Sequence, residues 1–143
     1  MDRRNFIRGA CRVCLLGTAA AAIGADLASC SPATGKNVFK PVIIDNKIEV
    51  PISIFDSNPF QVISPDKFLY EIAIENKGND SYRALLLRCT HQDNQLTNTG
   101  NGFTCSLHGS RFDKEGNVLK GPAETVLQQL KTQIIKTSLL IHL

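Results

Sequence analysis

Net charge is almost absent from this sequence of 143 residues: 16 Lys and Arg stand against 13 Asp and Glu, a formal +3. Even that small excess is localised. Arg3, Arg4, Arg8 and Arg12 against Asp2 and Asp26 put +2 in the first thirty residues, leaving about +1 for the remainder. Nucleic acid is therefore excluded as a partner, because its recognition needs a basic patch or stripe. A membrane-spanning run is lacking too. The uncharged, Ala-rich stretch at residues 13–25 stops at Asp26, well short of the ~20 apolar residues a spanning helix requires. No helical window longer than two turns stands out, and there is neither an internal repeat nor a low-complexity tract. Length sets a ceiling of one domain, at the usual size of roughly 100–150 residues. An enzyme built from two large lobes is excluded on that ground. With 43% hydrophobic and 20% charged residues, the composition is neither disordered nor collagen-like.

What is present begins with a targeting layout. A basic segment through Arg12 precedes the apolar stretch, and small residues follow up to Cys30. Arg3-Arg4-Asn5-Phe6-Ile7-Arg8 resembles the twin-arginine export signal. Leu27-Ala28-Ser29-Cys30 resembles a bacterial lipobox, whose cysteine is lipidated and becomes the mature N-terminus. The expectation is a signal over residues 1–30, a polar tether over 31–40 and a folded domain over 41–143. It implies an exported, periplasm-facing bacterial lipoprotein held to the membrane through lipid on Cys30. One acyl chain binds membranes only marginally, but lipobox cysteines resemble the multiply acylated kind. The twin-arginine route also resembles that of proteins folded around a cofactor before export, which favours a metal centre. The competing reading is a buried N-terminal helix with a chance arginine pair.

Strand signals dominate the mature chain. Ile43-Ile44 closes a short apolar run, and Ile48, Val50, Ile52 and Ile54 alternate at period two. Asp45-Asn46 between them suits a tight turn. Phe68, Tyr70, Ile72 and Ile74 alternate with Leu69, Glu71, Ala73 and Glu75, which predicts a strand with both glutamates toward water. Lys77-Gly78-Asn79-Asp80 reads as the turn of a hairpin whose second strand, from Tyr82 to Arg88, delivers Cys89. Phe60, Phe68 and Tyr70 are core candidates. Beyond Cys89 the texture changes. Gly100, Gly102, Gly109, Gly116 and Gly121 punctuate a polar stretch reaching Pro122 that cannot form a core alone, and metal ligation is the obvious fastening. Lys114 and Glu115 read as a solvated turn, and Glu124 to Lys131 could form a short helix. Ile134-Ile135 and Leu139 to Leu143 suggest a closing hairpin on the original sheet.

Five cysteines are present, but Cys11, Cys14 and Cys30 fall in the signal, leaving Cys89 and Cys105. Two of the three histidines stand beside them; the third, His142, lies in a strand-like segment and reads as structural. The pattern is Cys89-Thr90-His91, 13 residues, then Cys105-Ser106-Leu107-His108. A disulfide would suit an exported protein but leaves both histidines unexplained. Zinc accepts two thiolates and two imidazoles, yet its common spacing groups like ligands together, C-x₂₋₄-C and H-x₃₋₅-H. A Cys–His nucleophile lacks an evident orienting third group. The fourth possibility is a cluster with mixed ligands.

Cys89-Thr90-His91, Cys105 through Asp113, and Gly121-Pro122-Ala123 together resemble a Rieske domain. The resemblance implies an all-β fold, with an antiparallel β-sandwich base and a small loop-rich cluster-binding subdomain over about residues 88–123. It implies one [2Fe–2S] cluster, with Cys89 and Cys105 on one iron and His91 and His108 on the other. Gly109, Gly121 and Pro122 would shape the cluster loops. Ser110 matches a serine that donates to a bridging sulfide, and Phe112 stands where a tyrosine would offer a second donor. Respiratory members carry two further cysteines that form a disulfide between the loops; Asn94 and Leu107 occupy those places here. The chain is thus similar to a coherent disulfide-free variant.

The function implied is electron transfer, without a substrate site of the chain's own. Neutral imidazoles in place of thiolates leave the oxidised cluster uncharged, which raises potentials into the range of ~−150 to +300 mV. With one tuning donor missing, a value between the ferredoxin-like and respiratory extremes is expected. The partner is a redox protein or an oxidoreductase complex. One alternative is a small subunit resembling that of arsenite oxidase, with catalysis in a separate large chain. A zinc-binding interaction module is the non-redox alternative.

Overall fold

Asp45 and Asn46, with φ of 48° and 60°, are both left-handed and join β1 (Ile43–Ile44) to β2 (Lys47–Pro51) in a two-residue hairpin. Asp and Asn tolerate this conformation better than other L-residues, and its twist matches the flanking strands. These strands open the part of the chain that the computed structural model describes, residues 39–143. The signal and lipidation expectations over residues 1–30, and most of the tether, lie outside the described residues.

Beyond Pro51 the alternating pattern does not continue as a strand. Ile52–Phe55 form a single 3₁₀ turn that buries Phe55 and leaves Ile52 and Ile54 half-buried. Pro51 has no amide hydrogen with which to extend a ladder. β3 (Phe60–Ile63) follows, then β4 (Ile72–Asn76) and β5 (Tyr82–Leu86) around the expected turn. The strand read from Phe68 begins only at Ile72. Phe68 and Tyr70 pack edge-on, with centroids 6.2 Å apart, in the loop before it.

One antiparallel sheet runs β1-β2-β11-β10-β5-β4-β3. Its pivot is β10 (Gln129–Ile135), whose first residues pair with β5 while Lys131 onward pairs with β11 (Ser138–His142). The sheet curls at that point and closes over Ile48, Val50, Ile63, Ile72, Ile74, Ala84, Leu86, Leu139 and Ile141. The helix considered over Glu124 to Lys131 does not form. Its first residues are irregular and its last begin β10.

A second antiparallel sheet runs β6 (Leu96–Asn98), β7 (Phe103–Cys105), β8 (Arg111–Phe112) and β9 (Val118–Lys120). It has its own core of Leu96, Phe103, Phe112, Ala123, Leu127, Cys89 and Cys105. Ala73, Leu85 and Leu87 join this core, whereas Ile72, Ile74, Ala84 and Leu86 belong to the first. The β4–β5 hairpin is thus buried on both faces and carries the small sheet on its back. That corrects the half-solvated strand expected from Glu71 and Glu75. Both are half-buried, and Glu75 pairs with Arg83 at 3.5 Å. Arg83 also reaches Glu115 at 3.3 Å, so the turn at Lys114 and Glu115 is solvated but tied to β5. His142 lies on β11 opposite Lys131 and Lys47, in the base sheet.

Candidate metal centre

The residues that the sequence singles out sit on two loops of the same construction. In residues 89–94 the Cys89 amide donates to the Asn94 carbonyl at 2.8 Å, and the Asp93 amide donates to the Cys89 carbonyl at 2.9 Å. In residues 105–110 the Cys105 amide donates to Ser110 at 2.9 Å, and the Gly109 amide donates to Cys105 at 3.0 Å. The fifth residue of each loop is left-handed, Asp93 at φ 50° and Gly109 at φ 77°. Glycine adopts this corner without strain, and Asp is among the L-residues that tolerate it.

This shared geometry buries both cysteines and exposes both histidines. Cys89 and Cys105 are each 1% exposed, within the second core. His91 and His108 project into solvent and meet edge to face, their ring centroids 4.9 Å apart. Burial pushes the Cys105 thiol up. The backbone amides of His108 and Leu107, then Cys89 and the Asn94 amide, outweigh that effect and hold it below the ordinary thiol value. A lowered thiol favours the thiolate, which is the form that ligates metal. The two cysteines are unbridged, so the disulfide reading fails in this structure.

The third segment closes against both loops. Ser110 is fully buried, and its Oγ accepts the Ala123 amide at 3.0 Å, which leaves the hydroxyl hydrogen free to point elsewhere. Thr90 Oγ1 donates to the Thr125 carbonyl at 2.7 Å. Just before Ala123 the Gly121–Pro122 peptide is cis. Phe112, 1% exposed, packs in the apolar cluster that contains both cysteines.

Several contacts escape a reading of the sequence. Tyr70 Oη donates to the Asp93 carbonyl at 2.9 Å, while Arg88 lies over the Tyr70 ring and approaches Asp93 at 3.5 Å. These fix the corner of the first loop from outside. Asn94 Nδ2 lies 3.7 Å from Cys105 Sγ, bridging the loops. The matched spacing of Cys89 to Asn94 and Cys105 to Ser110 is the sequence signal that could have revealed the common loop design.

Two buried thiols, one held toward thiolate, and two solvent-facing imidazoles give a mixed set of candidate donors with a dry and a wet side.

Comparison with known proteins agrees with this class. Residues 53–131 match the Rieske [2Fe-2S] domain, and the chain belongs to that family. The ubiquinol-cytochrome c reductase iron-sulfur subunit of Rickettsia typhi is 34% identical over 90 residues, covering 59% of this chain. The chain spans about half, 48%, of that relative's length. Among solved structures, the cyanobacterial plasma membrane Rieske protein PetC3 from Synechocystis PCC 6803 superposes with a TM-score of 0.50 at 25% identity, covering 65% of this chain and 95% of that one. The domain binds one [2Fe–2S] cluster and serves electron transfer. No helix of the described residues is long and apolar enough to cross a membrane.

Proposed function

We propose that Cys89 and Cys105 hold the inner iron, that His91 and His108 hold the outer iron, and that a redox partner docks over the two imidazoles. One observation carries this reading: the thiols are buried together while the imidazoles meet in solvent. When bound, the cluster supplies one-electron chemistry. The chain's own groups shield the thiol side from water and present ligand rings where a partner can reach them. Leu107, next to His108, is 56% exposed, an apolar side chain suited to protein contact. A redox titration of the purified protein should give a reversible one-electron step above the plant-type ferredoxin level of about −400 mV. An irreversible or two-electron step would overturn the reading.

That exposed apolar side chain favours work within a complex. The Rickettsia relative is, by name, a reductase subunit, and a small subunit of a larger periplasmic oxidoreductase, arsenite-oxidase-like, is the second reading. Gel filtration of detergent-solubilised native membranes separates the two. A subunit co-elutes with a large chain, and a free carrier does not.

Lipid on Cys30 would hold the protein to the periplasm-facing membrane surface. Cys30→Ala should move it into the soluble or unprocessed pool and abolish labelled palmitate incorporation; unchanged labelling would refute the anchor.

In this reading Ser110 and Phe112 tune the potential. Phe112→Tyr adds a hydroxyl to a ring packed with both cysteines. A donor to a thiolate stabilises the more negative, reduced state, so the midpoint should rise by on the order of tens of millivolts. Ser110→Ala removes a donor and should lower it. A flat or falling potential in Phe112→Tyr would mean that the ring edge does not face a ligand sulfur.

A further inference from the structure

Asn94 belongs to the first loop, yet its side chain reaches the cysteine of the second. Its amide carries two hydrogens. One is directed at the Gln95 carbonyl, 3.1 Å from Nδ2, and the other at Cys105 Sγ, at 3.7 Å. Both neighbours are acceptors, so the nitrogen must face them; a flipped amide would set oxygen against a carbonyl and a thiolate. The residue is held at its other end as well, since its own carbonyl accepts the Cys89 amide at 2.8 Å. Asn94 is half-buried beside a sulfur that is itself buried, where a hydrogen bond is less diluted by water.

We infer that Asn94 is a positioning residue that raises the reduction potential by donating its side-chain amide to the Cys105 thiolate, clamping the two loops as it does so. This inference rests on the assignment of Cys105 as a ligand. The physical reason is differential. Electron density on the ligand sulfur increases on reduction, so an N–H aimed at it stabilises the reduced state more than the oxidised one. Where a cross-loop disulfide would clamp by covalency alone, this contact also acts on the electronics of the centre.

The test compares native protein with Asn94→Leu, which keeps the approximate shape and loses the donor, and with Asn94→Asp, which replaces the donor by an acceptor. The holoprotein is titrated with EPR detection. In Asn94→Leu the equilibrium constant for reduction should fall about three- to tenfold, up to ~59 mV for one electron, with the native g-values retained. Asn94→Asp should fall further. A potential equal to or above the native one in Asn94→Leu overturns the inference. Should the variants fail to assemble, the native protein still decides. With asparagine labelled by ¹⁵N at Nδ2 only, pulsed EPR of the reduced protein should show a weak ¹⁵N coupling, and its absence overturns the inference. Failure of the ligand assignment looks different, because native protein would then give no such reduced signal at all.

Discussion

Cys89→Ser and His108→Ala should each yield protein without an iron–sulfur EPR signal or visible colour. Both residues belong to the donor set proposed to fasten residues 88–123. That stretch has short strands, many turns and a core in which the two cysteines are themselves members. Metal-binding energy in such a domain is folding energy, so losing a ligand should loosen both loops as well as release iron. The base should survive. Its core of Ile48, Val50, Ile72, Ile74, Leu139 and Ile141 includes neither cysteine. The expected picture is retained far-ultraviolet strand signal, increased amide exchange over residues 89–110, and no cluster. His142→Ala, on the far strand β11, should keep the signal. An unaltered EPR spectrum in either ligand variant would remove that residue from the site.

Gly102→Ala should produce the largest loss of stability from a single methyl group. A Cβ at this position would stand 2.2 Å from the Phe112 carbonyl oxygen, and φ is +152°, which L-residues rarely adopt. The obstructing atom is backbone, so no rotamer can relieve the clash. β7 and β8 would have to part, and they carry Cys105 and Phe112. Overpacking of this kind amounts to about 1–3 kcal/mol, with backbone strain in addition. A fall in Tm on the order of 10 °C is expected for a domain of this size. Gly100→Ala is the control. Its φ is +84° but nothing lies within 4 Å of the added carbon, so only the modest left-handed penalty of ~1–2 kcal/mol applies. Equal melting temperatures for the two variants would show that β7 and β8 are not in close approach at Gly102.

Where local chemistry dominates, the sequence is legible. The Asp45-Asn46 turn, the Lys77–Asp80 turn and the final hairpin are properties of a few adjacent residues, and each forms where its residues predict. The C-x-H and C-x-x-H pairs are legible for a similar reason: ligand chemistry limits which residues can take part. Long-range packing is not written locally. Ile52 and Ile54 continue an apolar alternation, but Pro51 and the burial of Phe55 turn the chain away. Glu71 and Glu75 look solvent-facing because the hairpin's second face is covered by a sheet that comes later in the chain. In the sequence Tyr70 reads as a core candidate, Arg88 as the end of a strand and Asn94 as the residue in a disulfide cysteine's place. Their roles depend on which loop folds over which, and spacing alone does not report that.

In the proposed reading this domain holds an iron–sulfur cluster on two thiolates and two imidazoles. Metal and sulfide analysis of anaerobically purified protein, paired with EPR of the dithionite-reduced form, tests it most directly. Brown protein with two irons and two acid-labile sulfides per chain is expected, with a reduced spectrum showing nitrogen couplings from two imidazoles. Colourless protein carrying a single zinc after anaerobic reconstitution would contradict it.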